Sequence, residues 1–196
     1  MKKWCSVLFL EIQTQVEILH KYHFMNSSQL PKNEYANFYE SYIQVLEDVE
    51  LIEELEICLH NFIKFVQNIP IDKFDYQYEE GKWTIKEIIQ HLIDSERVFS
   101  YRALRISRND KTPLPGFEEN DYVANSNGKQ RSIQSLLTEM SVVRQATLSL
   151  FNSFSQEQYT KIGIASDYEI SVRAIGFIII GHQKHHQKIF SERYLN

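Results

Sequence analysis

Glycine and proline are scarce in this sequence. The six Gly and four Pro among 196 residues make about 5% of the chain, against roughly 12% in an average protein. Because β-sandwiches and β-barrels use Gly and Pro at their many turns, this scarcity argues against an all-β fold. It also excludes collagen-like and proline-rich disordered chains. Long helices with few connections match the composition best.

A disulfide framework, an excess of basic charge and long apolar runs are also missing. The two cysteines, Cys5 and Cys58, have no motif spacing, which indicates a reducing compartment. The net charge is -5, so no surplus of Lys and Arg is present to neutralise a phosphate backbone. No apolar run reaches the roughly 18–20 residues of a membrane span. The N-terminal MKKWCSVLFLEI is similar to a signal peptide, but its apolar run ends after about seven residues. We expect a soluble, cytoplasmic protein that binds neither nucleic acid nor membrane.

Four long stretches between the Gly and Pro residues have the apolar period of amphipathic helices. They span about residues 39–69, 84–107, 132–154 and 171–194. The second stretch begins with Thr84 and, three residues later, Glu87, a capping-box pattern typical of a helix N-terminus. Four helices of this length predict an all-α fold with the architecture of a four-helix bundle.

Residues 1–30 stand apart from these helices. Their periodicity is weak, and Met25 followed by N-S-S-Q-L-P would also make a plausible translation start. We therefore predict an N-terminal extension at 1–30, either an extra helix or a product of start-site choice, followed by a helical domain at 31–196.

The most informative segment is G-H-Q-K-H-H at residues 181–186. His182 and His186 are four residues apart, so on a helix they lie on one face and can bind the same metal ion. They also share the apolar stripe of Ile175, Ile179 and Ile189. Two neutral, unpaired imidazoles in a core are costly to desolvate, and a bound metal removes that cost. The alternative is a surface pair or a hydrogen-bonded pair.

A facing helix should supply a third ligand. His91 lies near the buried face of the second helix. His20, His23 and His60 are poorer candidates, because the first two lie in the extension and the third lies among acidic positions. Three His ligands with one position left open for water are typical of a catalytic metal site.

Three neighbouring side chains bear on the chemistry. Gln183 occupies the position of the general-base Glu in H-E-x-x-H, so peptidase activity by that mechanism is not expected. His185 is expected to be exposed, with proton transfer or support of a ligand as alternatives. Asp94, three residues after His91, either orients that imidazole or is a solvated or capping residue.

The second and fourth helices also carry arginines at positions suited to an anionic substrate. Arg102, Arg105 and Arg173 are these residues, although arginine on the rim of a bundle is more often solvated. Trp83, at the entrance of the second helix, is expected to be a packing anchor.

The segment from Arg108 to Gly128 forms a loop of about twenty residues, and long loops in compact domains are often functional. We expect it to cover one end of the bundle near the histidines, with Phe117 and Tyr122 as apolar walls. A disordered connection is the alternative.

Three segments together resemble the DinB superfamily. They are W-T-I-K-E-I-I-Q-H-L-I-D-S-E-R from Trp83, R-N-D-K-T-P-L-P-G-F-E-E-N-D-Y from Arg108 and G-H-Q-K-H-H-Q-K-I-F-S-E-R-Y from Gly181. The resemblance covers about residues 31–196. It implies a DinB-like four-helix bundle of the up-and-down type, often dimeric, with a divalent metal held by three histidines. Carried over residue by residue, these ligands are His91, His182 and His186.

The resemblance also implies a class of chemistry. Characterised relatives are metal-dependent transferases and isomerases that use low-molecular-weight thiols such as bacillithiol or mycothiol. A metal with three His ligands and open positions lowers the pKa of a bound thiol or water. We expect a thiol S-transferase or hydrolase that binds Zn, Ni, Fe or Mn, acts on a small molecule and forms a homodimer. The rival is a non-catalytic metal-binding stress-response bundle, in which the histidines stabilise the fold or a dimer.

Overall fold

The computed structural model of the chain describes residues 25–195. The helices are α1 (Glu40–Gln44), α2 (Leu51–Gln67), α3 (Ile85–Ser107), α4 (Glu119–Asn125), α5 (Ile133–Asn152), α6 (Gln156–Tyr159) and α7 (Val172–Ile189). A hairpin of two short strands, β1 (Ile162–Ala165) and β2 (Tyr168–Ser171), precedes α7. A π-helical turn at Phe190–Tyr194 extends α7. None of the helices within residues 25–195 is long and apolar enough to span a membrane.

The four long helices α2, α3, α5 and α7 form a bundle, as the sequence predicts. Helix α3 packs along α5 and α7, and α2 packs along the same two helices. Helices α2 and α3 therefore lie at opposite corners. This order differs from a simple up-and-down bundle, in which consecutive helices are neighbours. The connection at residues 68–84 is long enough to cross the end of the bundle.

The long helices begin where the sequence places caps. Thr84 accepts a hydrogen bond from the Glu87 backbone N–H, and the Glu87 carboxylate accepts one from the Thr84 N–H at 2.7 Å, which completes the capping box of α3. Ser132 and Ser171 cap α5 and α7 with a single bond each, because their side chains accept the backbone N–H of Ser135 and of Ala174. These bonds satisfy N–H groups that have no partner within the helix.

The prediction of one continuous helix at residues 39–69 is wrong. The structure divides it into α1 and α2, with an irregular segment between Gln44 and Leu51. The Glu50 carboxylate caps α2 by accepting the Glu53 N–H at 2.7 Å.

Segment 25–28 causes this break. The Ser27 N–H donates to the Val49 carbonyl at 2.9 Å, and the Leu51 N–H donates to the Met25 carbonyl at 3.0 Å. These bonds satisfy backbone groups outside a helix, and Met25 is buried in the core. The predictions for residues 1–24 lie outside the described residues.

The hairpin is an addition to the predicted all-helical fold. Its strands pair in antiparallel register, with Ile162 opposite Ser171 and Ala165 opposite Tyr168. Ser166 in the two-residue turn has φ 52° and Asp167 has φ 68°. Such left-handed turns usually carry Asn or Gly, so the sequence lacks the usual hairpin signal.

A polar layer divides the apolar core into two clusters along the bundle. The buried polar residues of this layer are His91, Glu96, Arg144, His182 and Gln183. On α3, α5 and α7, Glu96, Arg144, His182 and Gln183 fall between apolar residues of one cluster and apolar residues of the other, and His91 lies a little over one turn before Glu96 on α3. Buried polar groups of this kind need partners, and the layer is where the candidate site lies.

Candidate metal centre

The structure brings together the three histidines that the sequence singles out. His91 projects from α3, and His182 and His186 project from successive turns of α7. The Nε2 atom of His182 lies 3.0 Å from Nε2 of His91 and 3.1 Å from Nε2 of His186. One ring nitrogen from each residue lies within 4.8 Å of the other two. This spacing would let all three rings bind one metal ion.

Burial keeps these rings neutral. It lowers the pKa of His91 to about 4. Burial also lowers the pKa of His182 and of His186 well below the ordinary value, and the neighbouring histidines add to the effect. Neutral imidazole is the form that ligates metals.

The donor set fits a cation. A neutral imidazole carries one N–H, so a ring whose Nε2 is an acceptor has its proton on Nδ1. With the proton of each ring on Nδ1, the three Nε2 lone pairs would face one another without a donor, and a metal ion would satisfy all three. Nδ1 of His186 is buried with no hydrogen-bond partner among the described residues. Nδ1 of His91 lies 3.4 Å from the Ser95 hydroxyl.

Ser95, not Asp94, is therefore the neighbour of the His91 ring. The Asp94 carboxylate accepts a hydrogen bond from Gln90 at 3.0 Å and lies 3.6 Å from Arg97. On an α-helix residue i+4 lies about 40° around the axis from residue i, and residue i+3 lies about 60° away on the other side. Both spacings place a side chain near His91, so the sequence identifies Ser95 as the partner only once the direction of the His91 ring is known.

Gln183 faces away from the histidines. Its side-chain oxygen accepts a hydrogen bond from Arg144 at 3.0 Å, and its nitrogen donates to the Cys58 carbonyl at 2.8 Å. Arg144 is fully buried and forms two hydrogen bonds with Glu96, at 2.8 and 2.9 Å. The general-base position of a zinc peptidase is thus occupied by a residue that supports a buried ion pair. Sequence reasoning missed this network.

The other histidines do not join the cluster. His185 is partly exposed and lies beside Tyr42, with ring centroids 5.2 Å apart. His60 is exposed on α2 and bonds to the Glu56 carbonyl. His20 and His23 lie outside the described residues.

Two cavities flank the three histidines. One of about 230 Å³ is lined by His182, Phe99, Arg102, Phe117, Glu119 and Ser166, among others. The other, of about 260 Å³, is lined by His186, Lys82, Trp83, Asn120 and Tyr194, among others. Open space therefore adjoins the cluster on the sides of His182 and His186.

The segment at 108–128 lies beside the cluster, as predicted, and includes α4. Phe117 and Glu119 line the cavity at His182, and Asn120 lines the one at His186. Tyr122 packs on Phe117 with ring centroids 4.9 Å apart. The segment is thus an ordered wall of both cavities.

Of the three predicted arginines, Arg102 lines the cavity beside His182, and the other two line neither of these two cavities. Arg105 pairs with Asp110, and Arg173 forms a buried ion pair with Glu34. Trp83 packs against the His91 ring at a centroid distance of 5.0 Å.

Comparison with known sequences places this centre in a family. The model of the DinB superfamily matches residues 54–190, which include all three histidines. A protein of Oceanobacillus iheyensis that carries the provisional name metal-dependent hydrolase is 21% identical over 144 residues, or 72% of this chain and 82% of that protein. A protein of Bacillus cereus with the same provisional name is 27% identical over 62 residues, or 32% of this chain and 35% of that protein.

Solved structures share the fold. YfiT from Bacillus subtilis, described as a probable metal-dependent hydrolase with an unusual four-helix bundle topology, superposes with a TM-score of 0.65 at 16% identity, covering 83% of this chain and 90% of YfiT. The mycothiol-dependent maleylpyruvate isomerase superposes with a TM-score of 0.59 at 10% identity, covering 70% of this chain and 58% of the isomerase. From the family match over residues 54–190, this chain belongs to the DinB superfamily.

Proposed function

We propose that this protein is a metal-dependent enzyme whose divalent cation is held by His91, His182 and His186. The observation that carries the proposal is the convergence of three buried Nε2 atoms beside two cavities. A three-His site leaves coordination positions for water or substrate. Two relatives carry the provisional name metal-dependent hydrolase, which supports the assignment.

The residues of the chain prepare the site. Burial holds the three rings in their neutral, ligating form, and the packing of Trp83 on the His91 ring limits its rotation. A bound divalent cation would lower the pKa of a thiol or water and supply a nucleophile at neutral pH. Imidazole ligands suit several metals, Zn, Ni and Fe among them, and Mn also remains a candidate.

Two reactions fit this chemistry. In a thiol S-transfer, the sulfur of a low-molecular-weight thiol forms a bond to an electrophilic carbon, and the leaving group departs with its electron pair. In a hydrolysis, water takes the place of the thiol. The mycothiol dependence of the isomerase with the same fold supports the first reaction, and the names of the relatives support the second.

The arrangement favours an enzyme over a structural metal bundle. A structural zinc site has four protein ligands, whereas the candidate cluster within residues 25–195 contains three histidines and no acidic or cysteine member. An open position next to a cavity is what a reaction requires.

The test is an activity screen with defined metal loading. Protein loaded with Zn, Ni, Fe or Mn is assayed for conjugation of bacillithiol, mycothiol or cysteine to monochlorobimane, and for hydrolysis of ester and amide substrates. We expect metal-dependent turnover in one of the two assays, with at least a hundredfold loss in His186→Ala and little change in His185→Ala. Metal binding without turnover in either assay would favour the non-catalytic bundle.

A further inference from the structure

Arg102 is a buried cation with no acidic partner among residues 25–195. Arg102 is only 2% exposed. No ion pair in that part of the chain includes it. The two other arginines of similar burial each have a glutamate, Glu96 for Arg144 and Glu34 for Arg173. Burial of a charge is costly without an opposite charge. Among residues 25–195, Arg102 therefore lacks the ion pair that the other two arginines have, although Glu119 lines the same cavity.

Neutral contacts hold the Arg102 guanidinium in place. Its Nη2 donates to the Pro115 carbonyl at 2.8 Å and to the Ser166 hydroxyl at 2.9 Å. Its Cζ lies 5.9 Å from the ring centroid of Phe99 and 6.0 Å from that of Phe117. Arg102 also donates a hydrogen bond to the Tyr39 hydroxyl, which lines the same cavity. Because a guanidinium has five N–H donors, these three bonds leave donors for a ligand. The hairpin turn and the loop thus hold Arg102 in one orientation.

Arg102 faces the same cavity as His182. The Phe99 ring links the two, because its centroid lies 6.4 Å from the ring of His182 as well as near Arg102. The cavity of about 230 Å³ has aromatic walls and is large enough for a small organic molecule. A ligand with an anionic end at Arg102 would extend along Phe99 toward the metal centre.

We propose that Arg102 binds the carboxylate of a small-molecule substrate and so determines the specificity of this cavity. The assignment rests on the proposed function, because it takes the cavity beside His182 as the place where the substrate meets the metal centre. Guanidinium and carboxylate form charge-assisted, often bidentate hydrogen bonds.

The presence of Glu119 in the cavity favours a carboxylate ligand over a phosphate ligand. Its side chain lines the same cavity, and a phosphate dianion there would face this carboxylate with only one guanidinium to offset two charges. Burial raises the pKa of the Glu119 carboxyl, and the negative charge of the nearby Glu118 raises it too. A further negative charge in the cavity would raise this pKa again. The charge balance of the cavity suits a monoanion.

The test uses three probes that differ in charge. We would titrate 3-phenylpropionate, 3-phenylpropionamide and phenyl phosphate into the full-length protein and follow binding by ligand-observed NMR, in both zinc-loaded and metal-free protein. We expect the carboxylate to bind at least tenfold tighter than the amide and tighter than phenyl phosphate. Equal affinity for acid and amide, no binding of the acid, or tighter binding of phenyl phosphate would overturn the assignment.

A matched pair of variants assigns the effect to one residue. Arg102→Gln removes the charge in the cavity, and Arg105→Gln removes a charge one turn later on α3 that pairs outside the cavity with Asp110. We expect the acid-to-amide ratio to fall to within twofold in Arg102→Gln, with affinity for the amide retained, and to stay unchanged in Arg105→Gln. A ratio that persists in a folded Arg102→Gln contradicts the proposal. If that variant does not fold, the wild-type comparison of acid and amide decides.

The two proposals fail in different ways. Failure to retain any of Zn, Ni, Fe and Mn would contradict the metal-dependent function, while the acid-to-amide ratio of the metal-free protein would still test Arg102. A zinc-loaded, active protein that does not distinguish acid from amide would contradict only the role of Arg102.

Discussion

His182 and Gln183 are adjacent in the polar layer but contact different groups. His182 joins the histidine cluster, whereas Gln183 bonds to Arg144 and to the Cys58 carbonyl. Both are nearly fully buried, so each needs its own partners. The histidine cluster and a buried ion pair thus lie side by side in the bundle, and substitutions at adjacent positions should have separable effects.

The ion pair should contribute strongly to stability. In Glu96→Gln, Arg144 loses the carboxylate that neutralises it while remaining fully buried. We expect a loss of about 3–5 kcal/mol in the free energy of unfolding, measured by urea denaturation. Lys32→Gln removes an exposed pair with Glu40 and should cost far less. Equal losses in the two variants would contradict the importance of the buried pair.

The lowered pKa of His91 predicts a pH dependence for the metal-free protein. Its folded-state pKa of about 4 lies below the ordinary 6.5, so between these values the unfolded chain binds more protons. Stability therefore increases with pH in this range and falls as the pH drops below about 6.5. From pH 7 to pH 5 the loss due to this one residue should be about 2 kcal/mol. Urea denaturation of chelator-treated protein measures it; His91→Asn should show a shallower dependence, and a flat profile in the wild type would contradict the prediction.

At the scale of elements, sequence periodicity and caps predict α3, α5 and α7 to within a few residues, because each has a clear apolar face and a capping residue at its start. The same reasoning finds the three histidines, since they lie on those faces. It does not find the break before α2 or the hairpin. The break depends on pairing with segment 25–28, and the hairpin turn at Ser166 and Asp167 lacks the residues that usually mark such turns. Tertiary contacts determine both features.

The approach of α1 to α7 gives a prediction about glycine. A Cβ at Gly181 would lie 2.0 Å from the backbone oxygen of Tyr42, whereas a Cβ at Gly176 would lie 2.8 Å from side-chain atoms of Leu51 and Phe151. Backbone cannot yield as side chains can, so Gly181→Ala should destabilise the protein by about 3 kcal/mol or more, and Gly176→Ala by less. Thermal unfolding of the two variants compares them directly. An equal or smaller loss at Gly181 would contradict the close contact.

The whole molecule combines a rigid bundle with a site built from distant parts of the chain. The histidines come from two long helices, and the cavity walls come from α1, the loop with α4 and the hairpin turn. The bundle holds the three histidines in place, and the connections shape the space around them. This division is common in enzymes, in which connecting segments carry specificity on a stable scaffold.

The family resemblance predicts a homodimer for the whole molecule. Light scattering at micromolar concentration should return twice the 23.3 kDa mass of the chain. A monomer under these conditions would contradict the prediction, without bearing on the metal centre.

The central claim is that His91, His182 and His186 together hold one metal ion. Metal content per chain, measured by inductively coupled plasma mass spectrometry after loading and desalting, tests it most directly in the wild type, His186→Ala and His185→Ala. The account predicts about one metal ion per chain in the wild type and in His185→Ala, and loss of most of the metal in His186→Ala, because two imidazoles form a weak site. Retention of metal by His186→Ala, together with its loss in His185→Ala, would contradict the account.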